Sequence, residues 1–162
     1  MRLFNAIELV LAFSMLSAWT GTATAQPAPA RGGIWQLDQE DPDQPALVFK
    51  QGEDVIFYVA GGDEVELWIA WPGLPQPEGN ASVTIRTTTR TFTVKGGLTN
   101  AHPFTRGDEQ STYFQHADTG LSRDFNAFID ALLASKDIVV ATKSGTITMP
   151  RVDVKDAKKV RH

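Results

Sequence analysis

Two histidines fall inside the predicted fold, His102 and His116, and with Asp108 and Asp118 they offer the nitrogen and oxygen donors that divalent metals take. Fourteen positions and a whole predicted loop separate the two imidazoles, and no H-E-x-x-H sets two ligands on one helical turn. Loop histidines among polar neighbours account for them more simply. Asp38, Glu40, Asp41 and Asp43 crowd four carboxylates into six positions, the donor set of a calcium loop. Pro42 interrupts that loop, its sixth position is Asp43 where an EF-hand needs glycine, and its twelfth is Phe49 where a bidentate Glu belongs. A solvated acidic turn fits better. A serine nucleophile needs a strained turn with a base beside it, and neither G-x-S-x-G nor S-x-x-K occurs; Ser144 precedes a glycine in a plain hairpin turn. Paired carboxylates able to hydrolyse a glycoside stay open, because their separation is set by the fold and not by their order in the chain. No motif calls for a cofactor or a metal.

The aromatic side chains make a second set. Trp35, Tyr58, Trp68, Trp71 and Tyr113 are many for so small a domain. Trp68 stands opposite the apolar face of its strand, between Glu66 and Ala70. It either faces outward as a binding patch or lies on a strand covered from both sides. Asn80-Ala81-Ser82 has the form of a glycosylation acceptor, a short pattern read here as an accidental match. Two predicted loops, residues 72–80 and 96–109, exceed what hairpin closure needs, and such loops on a rigid β scaffold carry recognition. The second holds Asn100, His102, Thr105, Arg106 and Asp108, which donate and accept hydrogen bonds. With Trp68 these are the candidate binding residues.

What positions them is a run of short strands. Period-two apolar patterns between turn clusters predict strands over 34–37, 46–50, 54–60 and 65–71. The third is apolar on both faces (Val55, Phe57 and Val59 against Ile56 and Tyr58), which suits a central strand. A hairpin over 82–86 and 91–95 points Val83, Ile85, Phe92 and Val94 inward. Another strand is expected over 111–115. Phe125, Phe128, Ile129, Leu132 and Leu133 recur at helical spacing behind Ser122, a natural N-cap. A last hairpin spans 137–142 and 146–152, and the chain ends in a charged segment over 155–162. Many short strands with one late helix predict a mainly β domain, an antiparallel sandwich or partly closed barrel with the helix packed on it; a single curved sheet wrapped on the helix is the variant.

The order of a tryptophan-bearing first strand, sandwich strands, a helix F-x-x-F-I-x-x-L-L, a VV-containing strand, a T-I-T-M strand and a charged tail resembles the invasion-associated locus B family of small exported α-proteobacterial proteins. The likeness runs from Trp35 to Val160 and is most specific between Phe125 and Val152. It implies a periplasmic β-sandwich and carries over no active-site residues. This chain departs from the pattern in having no cysteine.

The first 25 residues read as a secretory signal: Arg2, a mostly apolar run over 9–19 too short to span a bilayer, and Ala23-Thr24-Ala25 as a small-x-small cleavage site. The proline-rich stretch QPAPARGG then reads as a flexible leader, and residues 34–162 as a single domain. Removal of the signal takes away one cation and one anion, so the formal net charge stays at −4. That argues against a nucleic-acid partner, which needs a basic excess or a basic face. Without cysteine the domain is held by its core and not by disulfides. The sequence therefore predicts an exported, periplasmic, non-enzymatic binding or accessory domain whose partner is a protein or an envelope component. A small exported hydrolase using carboxylates or the His102 loop is the alternative.

Overall fold

Alternation of apolar and polar residues dictates a sheet with one buried face, and the computed structural model shows how that face is covered. It describes residues 32–62, 64–104, 111–117 and 119–161. Nine strands follow in order: β1 Ile34–Asp38, β2 Ala46–Gln51, β3 Asp54–Ala60, β4 Glu66–Ala70, β5 Gly79–Arg86, β6 Thr91–Thr99, β7 Tyr113–His116, β8 Asp137–Thr142 and β9 Gly145–Pro150. They form one sheet in the order β1-β2-β3-β4-β7-β6-β5-β8-β9, every pairing antiparallel, curled into a half-barrel. Of the expected architectures the sandwich is not formed among the described residues: one curved sheet, curled to a partly closed barrel, wraps on the helices. The open side is bridged where Trp35 Nε1 on β1 donates to the Pro150 carbonyl on β9 at 2.9 Å.

Helices α1 Thr119–Arg123 and α2 Phe125–Leu133 fill the hollow of the half-barrel. The apolar stripe of α2 packs as its spacing predicts: Phe125, Phe128, Ile129 and Leu132 are fully buried against Phe49, Phe57, Ile69, Ile85 and Ile138. Phe92 meets Phe128 edge-on at 5.0 Å between ring centroids. Ser122 is not the N-cap. It lies inside α1, and α2 begins behind Asp124, whose side chain makes no capping bond. The charged tail is likewise more than a solvated end. Its Ala157–Val160 segment is a 3-10 helix that buries Ala157 and Val160 against the core. That end is tightly closed: a Cβ at Gly61 would stand 2.6 Å from the Phe125 ring and 2.7 Å from the Val160 carbonyl.

Two boundaries and one register move for identifiable reasons. β6 runs on through Gly96 to Thr99, and β5 starts at Gly79, because eight residue pairs from Gly79–Leu98 to Arg86–Thr91 extend the hairpin. The glycines read as loop formers are sheet residues; a Cβ at Gly96 would strike the Gln115 carbonyl and come within 2.8 Å of the Phe114 ring. The third change is in β3, where Phe49 faces Phe57 but Lys50 faces Val55, leaving Ile56 as an extra residue. This bulge reverses the alternation. Val55 therefore leaves the face of Phe57 and Val59 and joins Ala46, Val48 and Ala60 in a second apolar cluster on the outside of the sheet.

Candidate functional site

The outer cluster is the floor of the site. β3 and β4 pair Tyr58 with Trp68, and β4 and β7 pair Ala70 with Tyr113, so three large rings stand on the outer face of adjacent strands. Phe104, from the segment after β6, lies across them: its ring is 5.2 Å from Tyr58, 5.7 Å from Tyr113 and, edge-on, 5.9 Å from Trp68. His102 stacks on Tyr113 at 3.9 Å. Trp68 is thus covered and only 8% exposed. Its strand is buried from both sides, and the exposed patch is not formed.

Burial decides the protonation of these rings. The Tyr113 phenol is pushed up to about 12, by burial first and then by Asp54 nearby. Its neutral hydroxyl donates to the Val55 carbonyl, which β4 is too short to reach. Tyr58 is also pushed up to about 12, by burial and then by Glu66, Asp38 and Asp41. Burial lowers the His102 imidazole below its usual range, against a hydrogen bond to the Ser111 carbonyl at 3.2 Å that acts the other way. A carbonyl only accepts, so Nε2 carries the proton and Nδ1 is a bare acceptor. Among the described residues, that Nδ1 and the Trp68 Nε1–H are the buried side-chain atoms without a hydrogen-bond partner.

The two long loops converge at this end of the sheet and are tied together. Thr112 is the hub: its hydroxyl accepts from the Gln76 N–H at 2.8 Å and donates to Asn100 Oδ1 at 2.8 Å, while its carbonyl accepts from the Trp71 N–H. Glu78 reaches the Thr99 hydroxyl at 3.4 Å and the Asn100 N–H at 3.5 Å. Trp71 Nε1 donates to Ser144 Oγ in the β8–β9 turn, which gives that serine a structural partner. Between these loops and the β2–β3 turn opens a cleft of about 760 Å³, bordered by Lys50, Glu53, Asp54, Pro75, Phe104 and Tyr113. Its size falls within the range of small-molecule sites, roughly 300–1,000 Å³.

Of the sequence candidates, the fold brings together Trp68, Asn100 and His102. Trp68 and His102 meet through Phe104, and Asn100 supports the loop junction. Thr105, Arg106 and Asp108 lie outside the described residues. His116 stands at the far end of β7 from Tyr113, opposite Gly96, apart from His102. In the acidic turn, Asp38 and Asp41 accept the backbone N–H groups of Glu40 and Asp43, a turn-forming role. Phe104 and Thr112 were missed. Neither carries a motif, but an aromatic residue isolated in a polar loop was the available signal for Phe104. Compared with known proteins, the chain matches no family model, no curated protein and no solved structure.

Proposed function

We propose that the chain is an exported, non-enzymatic binding domain that holds a component of the cell envelope or another exported protein in the cleft between its two long loops. The observation that carries this reading is the convergence of both loops on one concave site, cross-braced by Thr112 and Glu78. A pre-formed site spends less binding energy on ordering itself. His102, the natural general base of the hydrolase alternative, gives its Nε2 to Ser111 and its ring to Tyr113, and does not line the cleft. Export is supported by the signal-type N-terminus and by the resemblance to the invasion-associated locus B proteins.

A photo-reactive amino acid placed at Pro75, beside the cleft, is expected to capture a discrete envelope adduct in living cells, and one at Lys136, at the opposite end, is expected to capture none. Equal capture from both positions would refute the cleft as the binding surface. Turnover of an envelope substrate, lost in cleft variants, would overturn the non-enzymatic reading.

A further inference from the structure

We propose that the cleft takes a neutral saccharide, seated with the flat face of a sugar ring against the aromatic and proline walls. The inference rests on the binding reading above and names its ligand class. Pro75 and Phe104 supply flat apolar surfaces, with Tyr113 buried behind them, while Gln36, Lys50, Glu53 and Asp54 bring an amide, an ammonium and two carboxylates to the same space. A sugar ring has the matching anatomy: its C–H groups form apolar faces and its hydroxyls ring the edge, where they both donate and accept. One cation against two carboxylates disfavours a sulfated or phosphorylated ligand, and the ammonium of Lys50 disfavours a cationic one.

The wall behind Phe104 adds an independent observation. Trp68 Nε1–H is a donor and His102 Nδ1 an acceptor, both buried and both without a partner, and the Phe104 ring touches both side chains. Buried polar atoms in this state are costly, and their satisfaction by an incoming group favours binding. A hydroxyl-bearing ligand meets both roles with one chemistry. Neither side chain lines the cleft itself, so a ligand hydroxyl reaches these atoms only where the Phe104 ring turns aside, which the Trp68 indole signal reads.

The test is titration of isotope-labelled protein with chitotriose, cellotriose and maltotriose, followed by amide and indole N–H resonances. The expected result is saturable shifting of the Trp68 indole signal and of the Tyr113 amide with at least one of these sugars. Trp68→Phe keeps an aromatic ring but removes the donor; it lowers the melting temperature as a buried large-to-small change, and at a temperature where the variant is fully folded it is expected to weaken binding about three- to tenfold. Glu53→Gln with Asp54→Asn, on the exposed rim, is expected to weaken it at least as much. The proposal is overturned if no sugar shifts the cleft, if a sulfated disaccharide or a lysine tripeptide binds in preference, or if both variants bind like the wild type. Should the sugars fail while the probe at Pro75 still captures an envelope protein, the binding reading stands and the saccharide inference falls; should both fail, both are refuted.

Discussion

Tyr58 and Tyr113 are the only tyrosines in the chain, and both are held neutral by the same aromatic cluster. Both phenols are raised from the usual 10.0 to about 12, so the stability they contribute is fully present below pH 10 and is lost as pH rises toward 12. Spectrophotometric titration checks this directly. At about pH 10.5 the folded protein is expected to show almost no tyrosinate, while the chain in denaturant is mostly ionised. Ionisation near 10 in the folded state would show that Phe104 does not cover the two rings. The same cluster explains why Trp68 was open to two readings: strand periodicity tells which side of a strand a residue takes, but not whether a distant segment lies over that side.

At the scale of elements, α2 is the piece whose role was most legible. Five apolar residues at i, i+3, i+4, i+7 and i+8 leave a helix only one way to hide its stripe, and the hollow of the sheet receives it. Phe128 has no exposed surface. Phe128→Ala is therefore expected to cost about 3–5 kcal/mol in a denaturant titration, and a loss below about 1 kcal/mol would mean that the helix is peripheral. What the pattern did not show is the break at Asp124 or the bulge at Ile56. A bulge inserts one residue into an otherwise continuous apolar run, and in a strand apolar on both faces the phase change leaves no mark in the sequence. The extension of β5 and β6 was hidden for a related reason. Gly96 and Gly97 carry the chemistry of a loop, yet the close approach of Gln115 and Phe114 requires a residue without Cβ at Gly96.

For the whole molecule the central question is how a nine-stranded sheet manages its edges. β1 and β9 are its terminal strands, and the Trp35 indole spans the gap to Pro150 while its ring packs on Phe49 at 5.1 Å and Phe57 at 5.8 Å. Trp35→Phe keeps most of the packing and deletes the bridge. It is expected to cost about 1–2 kcal/mol and to speed amide exchange in β1 and β9 more than in β3. Uniform acceleration across the sheet would show that the bridge has no special part in closure. Export also belongs to this scale. On the proposed export the processed chain is expected to begin at Gln26, and intact-mass measurement of the protein recovered from cells decides it; a chain retaining Met1 would defeat the proposal. No helix among the described residues is long and apolar enough to cross a membrane.

By itself the sequence determined the class of the fold and the order of its parts: short strands, late helix, hairpin, and which residues of β5, β6 and α2 turn inward. These follow from periodicity and turn chemistry, which act between near neighbours and so are written locally. Only the tertiary structure decided that the sheet curls on itself instead of splitting in two, that β4 lies between β3 and β7, and that the two long loops meet. Each of these depends on contacts between residues tens of positions apart, such as Gln76 with Thr112 or Trp35 with Pro150. The candidate site is of that second kind throughout. Tyr58, Trp68, Phe104 and Tyr113 share no motif and no spacing, and they become a site because three strands set their rings side by side and a loop lays a fourth across them.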